Sequence, residues 1–131
     1  MIVIAGPNGA GKTTFAREFL QIANHARRGQ SFSFETTLSG RGYVRLIRQW
    51  RSDGYLVVMF FLSLASPEEA IARVAKRVAQ GGHNIPEDVI RRRFAAGSRN
   101  FETLYRKEVD FWRRYNNSGD VLEIIDEGTN P

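Results

Sequence analysis

The fold is decided by Gly6-Pro7-Asn8-Gly9-Ala10-Gly11-Lys12-Thr13, which follows the apolar run Ile2-Val3-Ile4-Ala5 without a gap. This stretch matches the pattern G-x-x-x-x-G-K-T, in which glycines let consecutive backbone N–H groups surround a phosphate chain that a Cβ would obstruct. The pattern requires a strand before the loop and a helix after it, and both are expected here. A glycine-rich turn that matches by chance does not account for this context. We therefore predict a phosphate-binding loop.

Each residue type of this loop has a role toward a nucleoside triphosphate. The ammonium group of Lys12 suits the β- and γ-phosphates, and the hydroxyl of Thr13 suits the magnesium ion that bridges them. The helix that begins near Lys12 directs its partially positive N-terminus at the same anion. The predicted cofactors are ATP or GTP with Mg²⁺, and Thr13 is the candidate metal ligand. The residues expected to bind the nucleotide are Asn8, Gly9, Ala10, Gly11, Lys12, Thr13 and Thr14.

Composition limits the class of protein. A chain of 131 residues suits a single domain, and its 42% hydrophobic content, with nine Phe, four Tyr and two Trp, is enough for one core. No apolar stretch reaches the roughly 18 residues that span a bilayer, and no basic-apolar leader precedes the first strand. We therefore expect a soluble, cytoplasmic protein without a membrane partner. The absence of cysteine excludes disulfides, thiolate zinc sites and cysteine nucleophiles.

The net charge of +5 comes mainly from arginine, with sixteen arginines against three lysines. The planar guanidinium fork fits phosphate oxygens, so the excess suits a nucleotide-handling enzyme or a nucleic-acid binder. No aromatic-basic RNA motif and no recognition-helix pattern accompany it. A nucleic-acid-associated ATPase therefore rests on the arginine excess alone, and nucleic acid is not an expected partner.

Strand and helix patterns alternate along the rest of the chain. The helix after the phosphate-binding loop is expected to end at Gly29, and the next helix has Ser39 as its candidate N-cap. We predict further strands over residues 31–37, 55–64 and 121–125, and further helices over residues 43–50, 67–78, 86–94 and 100–115. The alternation predicts a three-layer α/β P-loop NTPase fold, with a mostly parallel sheet and helices on both faces. The continuously apolar residues 55–64 should form the central strand.

Ligands of parallel sheets bind beyond the carboxyl ends of the strands. This rule places four segments along one rim of the sheet, namely the phosphate-binding loop, Glu35–Thr37, Ala65-Ser66 and Asp126-Glu127. The glycine-containing loop Gly81-Gly82-His83-Asn84 separates two arginine-bearing helices. Such a loop is typical of a lid, which we expect over residues 80–93.

Three blocks in this order resemble the zeta-toxin family of P-loop kinases. They are the phosphate-binding loop, the stretch SFSFETTLSG over residues 31–40, and the stretch GGHNIP over residues 81–86 together with Arg91-Arg92-Arg93-Phe94. The resemblance covers nearly the whole chain. It implies a small ATP- or GTP-dependent kinase, whose best-known relatives phosphorylate a UDP-linked amino sugar of cell-wall synthesis and are inhibited by an antitoxin protein.

The resemblance also implies roles for side chains outside the loop. Glu35 and Thr37 would bind the acceptor, while Arg77 and Arg93, preferred over its two neighbours, would clamp the transferred phosphoryl group. The implied catalytic residues are therefore Lys12, Glu35, Arg77 and Arg93. Glu35 could instead be a structural acid or one that orders water around magnesium, and each arginine could be an ordinary surface residue of an amphipathic helix.

One block of that family is absent. Its members usually carry several dozen residues between the loop helix and the F-E-T-T strand, including an aspartate that is thought to take the hydroxyl proton. Here Leu20 continues through residues 21–29 without it. Glu35 is then the obvious substitute base, and a nucleotide-binding module without catalysis is the alternative function. Either the protein is a short form, or residues are missing at the Leu20–Gln21 join, where Cα atoms about 3.8 Å apart would show continuity.

Overall fold

The structure, a computed structural model, describes residues 1–18 and 33–131. These ranges contain helical residues 12–18, which we label α1, and a short 3₁₀ helix at Tyr105–Lys107. The other helices are α2 (Tyr43–Ser52), α3 (Pro67–Ala79) and α4 (Glu87–Thr103). The strands are β1 (Ile2–Ala5), β2 (Ser33–Thr36), β3 (Val58–Ser63), β4 (Phe111–Asn116) and β5 (Glu123–Thr129).

Several sequence predictions fall outside the described residues. They are the continuation of α1 from Phe19 to the predicted stop at Gly29, the start of the second strand at Ser31, and the Leu20–Gln21 join. The start of α1 at Lys12 agrees with the sequence prediction. No helix in the described ranges is long and apolar enough to cross a membrane.

The strands form one sheet in the order β2-β1-β3-β4-β5. The first four are parallel to one another, and β5 runs antiparallel to β4. This arrangement confirms the predicted α/β fold with a mostly parallel sheet. It also places β3 at the centre, where its continuous apolar sequence is covered on both faces.

Side chains of alternate strand residues supply two separate cores, one on each face of the sheet. Ile2 and Ile4 of β1 face the core that α1 and α3 cover, whereas Val3 and Ala5 face the core that α2 and the end of α4 cover. Helix α4 contributes to both cores, with Ile90 on the first side and Phe101 on the second. The result is the predicted three-layer arrangement.

The predicted helix over residues 100–115 is wrong. Helix α4 continues without a break to Thr103, and the later part of the predicted helix is strand β4. Aromatic residues in this segment recur at a helical spacing, but they are also strong strand formers. Cross-strand ion pairs favour the strand, because Arg113 and Arg114 of β4 pair with Glu127 and Asp126 of β5.

The placement of Asp126 and Glu127 on the ligand rim is also wrong. Because β5 is antiparallel, its carboxyl end lies at the opposite edge of the sheet from the ends of β1 and β3. Both acidic residues lie within β5, opposite their arginine partners on β4. Hydrophobic alternation does not determine the direction of an edge strand, so this orientation could not be predicted from the local sequence.

Local capping agrees with the sequence at one helix and differs at another. The hydroxyl of Ser66 accepts a hydrogen bond of 3.2 Å from the backbone N–H of Glu69 at the start of α3, as expected for serine before a helix with an acidic residue three positions later. Helix α2 instead begins after Gly42 without a side-chain cap. The predicted cap, Ser39, shares a hydrogen bond of 2.9 Å with the hydroxyl of Thr37.

Candidate active site

A pocket of about 390 Å³ lies at the carboxyl ends of β1 and β2. It brings together residues from the phosphate-binding loop, β2, α3 and the loop between α3 and α4. The lining residues are Asn8, Gly9, Ala10, Gly11, Lys12, Thr13, Glu35, Val74, Arg77, Gly82, His83 and Ile85. Of the predicted site residues, Thr14, Thr37 and Arg93 do not line it.

The phosphate-binding loop has a backbone that requires glycine at its bends. Gly11 has φ +88°, and a Cβ added there would lie 2.9 Å from Nδ2 of Asn117. A Cβ added at Gly6 would overlap the carbonyl oxygen of Leu62 at the end of β3. The loop therefore lies directly against its neighbours, and the space on its open side belongs to the pocket.

Lys12 lies at the centre of the charged groups around the pocket. Its Nζ donates hydrogen bonds of 2.8 Å to the carbonyl oxygen of Gly6 and 3.0 Å to that of Pro7. The pKa of Lys12 is lowered to about 8, mainly by burial; the charge of Glu35 opposes this change, and the charges of Arg77 and Arg93 contribute to it. Three cationic side chains therefore converge near a single carboxylate, an arrangement that favours an anionic ligand.

Thr13 and Glu35 form an oxygen pair beside Lys12. The parallel register places Glu35 of β2 next to Ile4 of β1, and Oγ1 of Thr13 donates a 3.0 Å hydrogen bond to Oε1 of Glu35. Hydroxyl and carboxylate oxygens are suitable ligands for Mg²⁺. In residues 1–18 and 33–131 no group of three or more His, Cys, Asp or Glu side chains could hold a metal. A magnesium ion here would therefore depend on Thr13 and phosphate oxygens, with Glu35 nearby.

Two arginines flank the loop between α3 and α4. Arg77 lies in the last turn of α3 and lines the pocket, while Arg93 lies half-buried on α4. Neither forms an ion pair with another residue that the structure describes. Arg91, in contrast, pairs with Glu68 of α3 at 2.7 Å. Among the three consecutive arginines, Arg93 is the one whose charge affects the pKa of Lys12.

The loop after β2 is held by α4 and by the 3₁₀ helix that follows it. Nδ2 of Asn100 donates a 2.8 Å hydrogen bond to the carbonyl of Leu38, a buried residue with φ +55°. The hydroxyl of Tyr105 donates to the carbonyl of Gly40 at 2.7 Å. Thr37 bonds to Ser39 and lies outside the pocket lining. Thr14 is exposed on α1 and also lies outside it.

Sequence reasoning missed two residues behind the phosphate-binding loop. The guanidinium of Arg73 donates to the carbonyl of Gly9 at 3.2 Å, and Nδ2 of Asn117 donates to the carbonyl of Ala10 at 2.8 Å. Arg73 precedes Arg77 by one helical turn, a spacing that could have indicated a shared face of α3. Asn117 directly follows β4, and nothing in its local sequence indicates this contact.

The residues present fit a polyphosphate ligand. The glycines let the loop pack closely against β3, α3 and Asn117, and Lys12 and Arg77 supply positive charge at the pocket that the loop lines. Within the described ranges, Oδ1 of Asn8 is buried without a hydrogen-bond partner at the same pocket. A buried polar atom of this kind is normally satisfied, so it indicates a place where a ligand or its water would bind.

Comparison with known proteins supports this assignment. The sequence model of the zeta toxin family matches residues 21–129, most of the chain, starting after the phosphate-binding loop. An uncharacterized protein of Haemophilus influenzae is 32% identical over 63 residues, which are 48% of this chain and 45% of that protein. In this match the chain thus covers less than half of its relative. Zeta toxin family members are kinases, and the family implies nucleotide binding. By its family match, the chain belongs to the zeta toxin family.

Proposed function

We propose that this protein is a nucleotide-dependent kinase that transfers the γ-phosphate of ATP or GTP to a hydroxyl group of a small molecule, with UDP-sugars as the first acceptors to test. The observation that carries the proposal is the shared pocket of the phosphate-binding loop, Glu35 and Arg77. Membership of the family also suggests an antitoxin protein as a partner.

The residues that contact the nucleotide would act mainly through their positions and charges. Phosphoryl transfer spreads charge over the equatorial phosphate oxygens, so catalysis depends on cations held close to them. Lys12 and the loop N–H groups would hold the β- and γ-phosphates, and Arg77 with Arg93 would neutralise charge on the transferred group. When bound, ATP would supply the phosphoryl group, and Thr13 would hold the Mg²⁺ that neutralises phosphate charge. Residues 80–93 would serve as the lid, since Gly82, His83 and Ile85 line the pocket.

Glu35 is the proposed general base. Among the residues that the structure describes, it is the one carboxylate that lines the pocket, and its side chain is exposed. In the proposed reaction the acceptor hydroxyl gives its proton to Glu35 while its oxygen bonds to the γ-phosphorus. The bond between that phosphorus and the bridging oxygen breaks, and the nucleoside diphosphate leaves with the electron pair.

The second candidate is a nucleotide-binding module without catalysis. It is favoured by the hydrogen bond that Glu35 accepts from Thr13, because a carboxylate engaged beside the metal position is less free to take a proton. The chain also lacks the aspartate-containing block that members of the family usually carry. This module would bind ATP or GTP through the same loop and would not turn it over.

Transfer from radiolabelled ATP and GTP tests the proposal. The purified protein would be incubated with Mg²⁺ and a panel of UDP-sugars and other hydroxyl acceptors, beside Lys12→Ala and the control Lys107→Ala. Lys107 is exposed in the 3₁₀ helix and lies outside the pocket lining. We expect transfer by the natural protein and the control, and a loss of about a hundredfold or more in Lys12→Ala. Lys12-dependent binding without transfer to any acceptor would favour the binding module.

A further inference from the structure

We propose that Asn117 and Arg73 are positioning residues, which hold the phosphate-binding loop in its nucleotide-binding shape through its backbone carbonyls. The inference rests on the proposed nucleotide binding and concerns residues to which the family resemblance assigns no role. We refer to Glu69, Arg73, Asn117 and Ser118 together as the loop tether.

Asn117 acts on the peptide group between Ala10 and Gly11. Its Nδ2 donates a 2.8 Å hydrogen bond to the carbonyl of Ala10, although the two residues are 107 positions apart. The described chain has no cis peptide, and in a trans peptide the C=O and N–H groups point in opposite directions. With the Ala10 carbonyl held toward Asn117, the N–H of Gly11 is directed away from Asn117, toward the pocket that Gly11 lines.

Arg73 acts on the preceding carbonyl and on Asn117 itself. Its guanidinium donates to the carbonyl of Gly9 at 3.2 Å and to the backbone carbonyl of Asn117 at 2.6 Å. The amide of Ala10 meanwhile closes the turn by donating to the carbonyl of Pro7 at 3.1 Å. One guanidinium therefore joins α3, the loop and the turn after β4.

The tether is itself fixed to the sheet. Glu69 pairs with Arg73 at 3.2 Å and accepts a 2.7 Å hydrogen bond from the hydroxyl of Ser118. The backbone N–H of Asn117 donates to the carbonyl of Ser63, the last residue of β3, at 2.9 Å. All four tether residues are partly buried, so these bonds compete less with water than exposed ones would.

The side chain of Asn117 also lies close to Gly11. A Cβ at Gly11 would meet Nδ2 of Asn117 at 2.9 Å, and the positive φ of Gly11 already disfavours any other residue. The glycine of the loop and the asparagine after β4 therefore fit one another. Preorganised donors bind an anion more tightly because they do not have to be ordered at the moment of binding.

Binding of ADP to matched variants tests this inference. The variants are Asn117→Ala and Arg73→Met, of which the second keeps the aliphatic stem of the side chain and loses its donors. The control is Asn130→Ala, because Nδ2 of Asn130 also donates to two carbonyls, those of Arg106 and Val109 at 2.6 and 2.8 Å, outside the pocket. Affinity would be measured by calorimetry, stability by thermal melting, and the Gly11 amide resonance by NMR with and without ADP.

Asn117→Ala should weaken ADP binding about tenfold, the effect of losing one partly buried hydrogen bond, and Arg73→Met, which loses its bonds to Gly9 and Asn117, should weaken it by at least as much. The ADP-induced shift of the Gly11 amide should shrink in both. Asn130→Ala should lower the melting temperature while its affinity stays within about twofold of the natural protein. If Asn117→Ala does not unfold cooperatively, the ADP affinity of Arg73→Met decides whether the inference holds.

Two results would overturn the inference, and they are distinguishable. Unchanged ADP affinity in the folded variants would overturn the positioning role and leave the proposed function intact. A natural protein that binds neither ADP nor ATP would overturn both. If the natural protein binds ADP tightly and the variants lose affinity as expected, but no acceptor is phosphorylated, the result would support the tether. It would contradict only the proposed kinase activity.

Discussion

The two sides of the pocket differ in how firmly they are held. The nucleotide side, residues 6–13, has buried Gly9 and Ala10 whose carbonyls are bonded to Arg73 and Asn117. The acceptor side, residues 35–39, places an exposed Glu35 at the pocket and leaves Thr37 bonded to Ser39 outside its lining. We therefore propose that the first side is a preformed polyphosphate site, and that few described residues define the proposed acceptor site beside it.

The largest expected effect concerns the charge on the transferred group. Arg77→Ala should lower the rate of phosphoryl transfer by roughly a thousandfold, because a positioned arginine stabilises the transition state. Its effect on ATP affinity should be much smaller. The control is Arg91→Ala, because the guanidinium of Arg91 is paired with Glu68 and its removal should change the rate very little. Steady-state kinetics would compare the two variants. Equal effects of the two variants would contradict the role given to Arg77.

Glu35→Gln separates the effects of the two sides of the pocket. If Glu35 takes the acceptor proton, this change should lower kcat about a hundredfold, since the amide cannot act as a base. ATP affinity should change by less than about threefold, because the phosphates are held by the other side. Thr37→Ala should change kcat and ATP affinity very little, because Thr37 does not line the pocket. A large loss of ATP affinity in Glu35→Gln, with kcat retained, would instead assign Glu35 to the nucleotide side.

The close packing of the nucleotide side predicts a loss of stability. Gly6→Ala should lower the free energy of unfolding by about 3 kcal/mol, because its Cβ would overlap the Leu62 carbonyl. The control is Gly42→Ala, where φ is −67° and nothing lies within 4 Å of the added Cβ. That variant should be unchanged or more stable by up to about 1 kcal/mol. Urea unfolding of both would check this, and similar stabilities would contradict the packing account.

The smallest predicted effect is a dependence of nucleotide affinity on pH. In the free protein the pKa of Lys12 is lowered to about 8, and a bound polyphosphate would raise it again by favouring the charged form. Affinity should therefore be nearly constant below about pH 8 and fall by up to about tenfold per pH unit above it. Calorimetry from pH 7 to 10 measures this, and Lys12→Ala should lack the fall. A fall of equal slope in that variant would assign it to another group.

Much of the nucleotide side could be predicted because short, continuous stretches of sequence specify it. The loop follows β1 directly, and Ser66 caps α3 as its sequence indicates. The tether could not be predicted, because the contact of Asn117 with Ala10 depends on how β4 lies beside β3. The sequence predicts a helix where β4 lies because the aromatic residues of this segment fit both periods, and the cross-strand partners on β5 decide between them.

The central claim is that residues 6–13 bind the polyphosphate of a nucleotide. Calorimetric titration of the natural protein and Lys12→Ala with ATP and GTP, in the presence of Mg²⁺ at pH 7, tests it most directly. We predict saturable binding of at least one nucleotide by the natural protein and an affinity more than about tenfold weaker in Lys12→Ala. A folded natural protein that gives no binding heat with either nucleotide at millimolar concentration would contradict the claim.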